Sequence, residues 1–261
     1  MDKNIGFIGM GNMAMAISAG IANSGAVDKS RIYAYAPHME KLKANAERIG
    51  FTPCSSLKEL VEKCQVIIMA CKPYQIEQVL HEISDELKGK TLLSVAAGWD
   101  FKKYSTLVDK STCIQFIMPN TPAMVGEGVF LFEEENSLVS EDRKEIMEIF
   151  SSIGVVQELP SRLMGIGTAI TGCGPAFIDM LMEGFGDAAV KYGIQRDMAY
   201  RLVAQMVLGS AKLQLTTKKH PGVLKDEVCS PGGTTILGVE ALEKAALRSA
   251  CLSAVNAIME K

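Results

Sequence analysis

The chain has 261 residues, 48% hydrophobic and 22% charged, enough for one large or two modest domains whose cores need no disulfide or metal staples. Its 27 basic and 30 acidic residues leave a formal charge of −3, without the basic excess that nucleic acid or an anionic membrane surface demands. Seven cysteines, an odd number with no CxxC pair, point to free thiols in a reducing, cytoplasmic compartment and away from a disulfide framework or a metal site.

The first stretch, MDKNIGFIGMGNMA, has glycines and an early acid where a secretory signal has an unbroken apolar region. Apolar runs such as Val66 to Cys71 are too short to span a bilayer, so no membrane partner is expected. Short β-rich runs then alternate with amphipathic stretches, as in a parallel sheet covered by helices. Strands are expected at Ile5–Ile8, Ile32–Tyr35, Val66–Ala70, Leu92–Ala96, Ile114–Met118, Val129–Phe132 and Val155–Glu158. Helical spacing recurs in Met13, Ile17 and Ile21, and again in Ile76, Val79, Leu80, Ile83 and Leu87. Glu133-Glu134-Glu135, a run of like charge, reads as a solvated loop.

After about Pro160 the strands stop. Helical patterns follow at 175–192, 198–215 and 234–259, separated by GCGP, KKHPG and SPGG. Pro175 and Pro221 suit first-turn positions and Asp197 an N-cap. The expected organisation is an α/β dinucleotide-binding domain over 1–160 and an all-helical domain over 161–261. Small residues in the second half (Gly184, Gly186, Ala188, Ala189, Gly209, Ser210, Ala211) let helices cross closely, either within one chain or in an interlocked dimer. A helical half of roughly 100 residues is small for a core of its own.

Gly9 to Ala14 spells G-x-G-x-x-A between the first strand and the first helix. Gly9 permits the tight turn, Gly11 lets a pyrophosphate approach the backbone, and Ala14 lets helix and strand pack closely. The helix start at Asn12 and Met13 offers unpaired N–H groups to phosphates. This context predicts a Rossmann-type, doubly wound sheet that binds a dinucleotide. After the second strand the chain reads Tyr33-Ala34-Tyr35-Ala36-Pro37-His38, with no acid for the ribose hydroxyl of NAD. That favours NADPH over NADH, with His38 and Lys41 the nearby groups for a 2′-phosphate. Other strands end in Cys71-Lys72-Pro73, Ala96-Ala97-Gly98 and Pro119-Asn120-Thr121-Pro122, small or backbone-exposing segments suited to the crevice wall. Each is also an ordinary turn composition.

The second half has little acid–base equipment; its one histidine, His220, sits in a Lys-Lys-His-Pro-Gly linker and reads as a turn residue. Ser230-Pro231-Gly232-Gly233-Thr234-Thr235 is better suited to chemistry, because two glycines bare the backbone before a helix start whose N–H groups can hold a carboxylate. On the residues alone this stands beside a second reading, a Ser/Thr-capped helix with a glycine entry.

The segment HPGVLKDEVCSPGGTTILGVEAL, from His220 to Leu242, resembles the signature of the pyrroline-5-carboxylate reductases. Thr171 to Phe177 (TGCGPAF), Met118 to Pro122 (MPNTP), Lys72-Pro73, Ala96-Ala97-Gly98 and the N-terminal loop extend the resemblance over the whole chain. It implies NAD(P)H-dependent reduction of the cyclic imine 1-pyrroline-5-carboxylate to L-proline, the last step of proline biosynthesis. It also implies a helical C-terminal dimerisation domain, and a homodimer that assembles into a decamer. By the same resemblance Ser230, Gly232, Gly233, Thr234 and Thr235 bind the substrate, and the Thr235 hydroxyl meets the imine nitrogen. Gly9, Gly11, Asn12, Met13, Ala36, His38, Cys71, Lys72, Pro73, Ala96, Ala97 and Asn120 bind the cofactor.

The sequence departs from that pattern at Cys173, where the family usually has serine, at Gly165, where an acid is common, and at Ala36, where a polar residue is common. Two other readings are weaker. A β-hydroxyacid dehydrogenase carries a catalytic K-x-x-x-N, but here Leu252 stands four residues before Asn256. A nucleotide-sensing protein without turnover would not need the Thr234-Thr235 pair.

Overall fold

The structure, a computed structural model, describes residues 3–260. Met1 and Asp2, part of the stretch read as lacking a secretory signal, and Lys261, at the end of the expected helical domain, lie outside them. The chain forms two compact units, one ending at Cys173 and the other beginning at Gly174.

The first unit is built on one eight-stranded sheet of order β3-β2-β1-β4-β5-β6-β7-β8. Its strands are β1 Ile5–Ile8, β2 Ile32–Tyr35, β3 Thr52–Pro53, β4 Val66–Met69, β5 Thr91–Ser94, β6 Cys113–Met118, β7 Gly128–Asn136 and β8 Gly154–Leu159. From β1 the chain steps outward to β2 and β3, then returns to the other flank of β1 at β4. Ile5 is therefore in register with both Ile32 and Val66, and the sheet changes direction between β1 and β4. All pairs from β3 to β6 are parallel, which brings the carboxyl ends of these strands to one edge.

Residue alternation sends each strand's side chains to two cores. Phe7, Ala34, Val66, Ile68 and Leu93 face one side, with Ile17 and Ile21 of helix α1 (Asn12–Ser24). Ile8, Ile67, Met69 and Leu92 face the other, with Leu60 of α3 (Leu57–Lys63) and Leu80 of α4 (Ile76–Glu82). Helix α2 (Met39–Ile49) joins the first core through Leu42, Ala46 and Ile49. Helix α6 (Ser140–Ser151) packs there too, its Phe150 ring 4.9 Å from that of Phe130 and 5.6 Å from that of Phe132, at edge-to-face angles.

The structure corrects several sequence expectations. β3 has two residues and one pairing partner, too short to show a periodicity. β7 runs antiparallel to β6, because the residues joining them, 119–127, hold only a 3₁₀ turn, and a parallel crossover needs about a dozen residues or more. The glutamates 133–135 belong to β7 rather than to a loop. Glu133 is 1% exposed, and its Oε2 accepts the Phe101 N–H at 2.9 Å, the otherwise unpaired start of α5 (Phe101–Ser105).

After β8, helix α7 (Ser161–Gly167) runs into a π-turn over Thr168–Gly172. The second unit holds α8 (Gly174–Lys191), α9 (Arg196–Thr217), α10 (Pro221–Val228), α11 (Thr234–Lys244) and α12 (Leu247–Met259). Gln195, not Asp197, is the N-cap of α9. The KKHPG segment starts a helix: His220 caps α10, with Nδ1 accepting the Gly222 N–H at 3.1 Å and Pro221 in the first turn. The stretch 234–259 is two helices, separated where Ala246 adopts φ 57°. Within the helical run Ser161–Lys191, which takes in α7, the π-turn and α8, the most apolar 18-residue window has a mean hydropathy of 1.2, a match to a membrane span by length and composition only. Arg162, Asp179, Glu183, Asp187 and Lys191 interrupt its apolar run.

Of its described residues the second unit buries only Gly186, Ala199 and Val203. Met180, Leu215, Leu237 and Leu252 are each more than 60% exposed. Its glycines separate the two readings of the small-residue positions. A Cβ on Gly186 would lie 2.5 Å from the Tyr200 ring, a contact within the chain, whereas one on Gly184 or Gly209 would meet nothing within 4 Å. Helices exposing this much apolar surface are those of a domain completed by another chain.

Candidate active site

β1 ends at Ile8, and the chain turns through Gly9 at φ 92°, a conformation L side chains rarely adopt. A Cβ there would lie 2.8–2.9 Å from the backbone of Ala70 and Cys71 beyond β4, so this glycine is required by the fold itself. The Gly9 N–H donates to the Tyr35 carbonyl at 2.8 Å and ties the turn to the end of β2. Gly11 differs. It is the N-cap of α1 at φ −81° and ψ −174°, ordinary extended backbone, and a Cβ on it would meet nothing within 4 Å. Nothing in the chain demands a glycine there. No side chain caps the helix either, so its first N–H groups face open space, the geometry that receives a phosphate. Ala14 is 1% exposed in the helix–sheet contact.

A cleft of ≈ 750 Å³ opens along the carboxyl edge of β1, β2, β4 and β5. Gly9, Gly11, Asn12, Met13, Ala36, His38, Cys71, Lys72, Pro73, Ala96 and Ala97, all expected from the sequence, line it together. The Cys71 thiol is pushed up to about 11 by burial, so at neutral pH it is an uncharged wall group and no nucleophile. Lys72 is held by its N–H donating to Gln75 Oε1 at 3.2 Å across the 3₁₀ turn Pro73–Gln75.

Asn120 is not brought into the cleft. It is 5% exposed, and its carboxamide is occupied elsewhere: Oδ1 accepts the Val129 N–H at 2.8 Å and Nδ2 donates to the Thr171 carbonyl at 3.0 Å. Its neighbour Thr121 lines the cleft instead. Asn45 was also missed from the sequence. With His38 and Lys41 it forms a polar stripe at helical spacing where α2 borders the cleft, a signal legible in the sequence once α2 is recognised. Asn45 Nδ2 is buried without a hydrogen-bond partner among the described residues, and His38 sits at the α2 N-cap without a side-chain cap bond. An orphaned donor, an uncapped glycine helix start and two basic side chains fit a phosphate-bearing dinucleotide.

In the second unit, the Gly233 N–H donates to the Ser230 carbonyl at 3.0 Å, closing a turn in which Gly232 takes φ 71°. Helix α11 starts behind Gly233, so its cap is a glycine and not a serine or threonine, and no side chain satisfies its first turn. A Cβ on Gly233 would lie 2.5 Å from Ser230 Oγ. Thr234 and Thr235 are exposed and make no side-chain hydrogen bond to the described residues.

Comparison with known proteins follows this division. Residues 161–261 match the family described as pyrroline-5-carboxylate reductase dimerisation, and residues 4–98 match that described as NADP oxidoreductase, coenzyme F420-dependent. The chain is 38% identical to pyrroline-5-carboxylate reductase of Treponema pallidum over 260 residues, covering 98% of each chain. It is 37% identical to that of Escherichia coli over 262 residues, covering 100% of this chain and 97% of the relative. The crystal structure of Plasmodium falciparum pyrroline carboxylate reductase with NADP bound superposes with a TM-score of 0.90 at 34% identity, covering 99% of this chain and 96% of that one. The chain belongs to the pyrroline-5-carboxylate reductase family of NAD(P)-dependent oxidoreductases of proline biosynthesis.

Proposed function

We propose that the chain reduces 1-pyrroline-5-carboxylate to L-proline with NADPH bound in the cleft of residues 1–160 and the substrate carboxylate held at Gly232–Thr235 of the helical domain, residues 161–261. One observation carries the reading. Two helices start behind glycine caps with no side chain closing them, α1 behind Gly11 and α11 behind Gly233, which suits one anion site for a pyrophosphate and one for a carboxylate.

In the cleft, the backbone from Gly9 to Met13 receives the pyrophosphate. Ala36 leaves room for a 2′-phosphate that His38 and Lys41 meet, which supports NADPH over NADH. Cys71, Lys72, Pro73, Ala96 and Ala97 shape the wall, while the Asn120 carboxamide is committed to Val129 and Thr171. When bound, the reduced nicotinamide supplies a hydride to the imine carbon. The N–H groups of Thr234 and Thr235, bared by Gly232 and Gly233 and shaped by Ser230, orient the carboxylate. The Thr235 hydroxyl oxygen accepts a hydrogen bond from the N–H of the protonated imine, which fixes the ring face. A protonated imine is already electrophilic, so orientation does most of the work and no histidine or lysine base is needed.

The exposed apolar faces of α8–α12 support a homodimer, and we extend this to dimers assembled into a decamer. The seven free cysteines support a cytoplasmic, reducing setting. The test is loss of reduced-nicotinamide absorbance with pyrroline-5-carboxylate and either cofactor. Imine-dependent oxidation, faster with NADPH, is expected. A folded protein that binds cofactor and oxidises neither would refute the reading.

A further inference from the structure

Two motifs have no role in this chemistry, Met118-Pro119-Asn120 at the end of β6 and Gly172-Cys173-Gly174-Pro175 beyond the π-turn. A hydrogen bond between Asn120 and Thr171 joins their surroundings. In an α-helix the Thr171 carbonyl would accept from the N–H four residues on, but that residue is Pro175, which has none. The chain does not close this gap by ordinary helical pairing. It widens into a π-turn, with the Cys173 N–H reaching the Thr168 carbonyl at 3.2 Å, and the Thr171 carbonyl takes its hydrogen bond from Asn120 Nδ2 at 3.0 Å.

The other end of the same carboxamide is equally committed. Asn120 Oδ1 accepts the Val129 N–H of β7 at 2.8 Å. Asn120 also occupies the N-cap position of the 3₁₀ turn Thr121–Val125, without a side-chain cap bond, and the first residue of that turn lines the cleft. That turn lies directly on α1, so closely that a Cβ on Gly20 would come within 2.4 Å of the Ala123 carbonyl oxygen. One 5% exposed side chain thus ties strand β7 to the π-turn, and Thr121 is the next residue along its backbone. A part-buried carbonyl left without a donor is costly, which favours the bridge.

We propose that Asn120 is a positioning residue: it supplies the donor that Pro175 withholds from Thr171, and so holds the Thr121 wall of the cleft in register with the π-turn. Its carboxamide is committed to backbone groups and does not line the cleft. The proposal rests on the reductase reading for its kinetic consequence, and on the hydrogen-bond geometry alone for the bridge.

The test is a double-mutant cycle of N120A and P175A in the full chain, read by kcat, by NADPH affinity and by melting temperature. N120A is expected to lower kcat about 10-fold, the scale of a small misplacement at the site, with NADPH affinity changed less than about 3-fold. P175A restores an N–H at position 175 that can satisfy Thr171. N120A/P175A should therefore recover most of the lost kcat and melting temperature, although neither change repairs the other's side chain. Wild-type kcat in folded N120A, or costs that simply add, would overturn the proposal. If N120A does not fold, N120D keeps the Val129 acceptor and breaks only the Thr171 arm. Its loss should be rescued by P175A and should shrink at acid pH as the carboxyl regains a proton to donate; a loss with neither property refutes the bridge. With no turnover in wild type the functional reading fails by itself, and the melting-temperature cycle alone then decides the bridge.

Discussion

The replacement Gly11→Ala separates what the fold needs from what the cofactor needs. Gly11 lies at φ −81°, with nothing within 4 Å of where its Cβ would be. A methyl therefore adds no clash and no backbone strain. Alanine is a poorer N-cap than glycine by roughly 0.5–1 kcal/mol, while stiffening the unfolded chain returns about 0.4–1 kcal/mol. The two nearly cancel, so the melting temperature should stay within about 4 °C of wild type. Cofactor binding has no such offset. The methyl occupies the space through which the pyrophosphate reaches the helix N–H groups, and losing one charge-assisted hydrogen bond costs about 1.5–3 kcal/mol. NADPH affinity should fall roughly 10- to 100-fold. Gly9→Ala is the control with the opposite profile, because φ 92° and backbone atoms at 2.8–2.9 Å make it a folding defect. Calorimetric titration with NADPH, beside thermal unfolding of both variants, measures the two effects. G11A with wild-type affinity would refute the placement of the pyrophosphate over Gly11.

The Thr235→Ala change should lower kcat/KM with the imine about 10- to 100-fold and leave melting unchanged, since that hydroxyl has no hydrogen-bond partner among the described residues; wild-type kinetics would remove Thr235 from the mechanism. Lys41→Ala should raise KM for NADPH several-fold more than KM for NADH, and an equal change in both would exclude Lys41 from the 2′-phosphate site. Burial pushes the thiols of Cys54 and Cys71 up to about 11 and that of Cys64 up to about 12. Unfolding frees them to ionise near 9, so the unfolded state holds fewer protons above that pH. Their contribution to stability is complete below pH 9 and declines toward pH 11–12, by up to about 1.4 kcal/mol per thiol per pH unit. A melting temperature that is flat or rising from pH 8.5 to 10 would contradict this.

Much of the candidate site was legible because its residues sit at strand ends, where local sequence and local geometry coincide. The turn at Gly9, the wall segments after β4 and β5 and the helix start at Gly233 each depend on a few consecutive residues. Elsewhere local reading failed for identifiable reasons. Glu133 looks solvated in a run of three glutamates, yet its neighbour across space is a helix N–H that needs an acceptor. Asn120 stands in a loop-like motif beside cleft residues, yet both ends of its carboxamide belong to backbone groups 9 and 51 residues away. The two-residue β3 follows from its neighbour β2 and has no pattern of its own.

The sequence by itself determined the alternation of the longer strands and helices in the first half, the dinucleotide loop, the family and the change from an α/β half to a helical half. Each of these follows from periodicity, turn chemistry or a specific run of residues within one segment. Only the tertiary structure decided that β7 turns back antiparallel, that Gly9 is needed by the fold while Gly11 is not, and that the second unit leaves its apolar helix faces without a core of their own. These depend on which distant atoms meet, and a pattern of residue types records that a side chain is apolar or small without recording what lies against it.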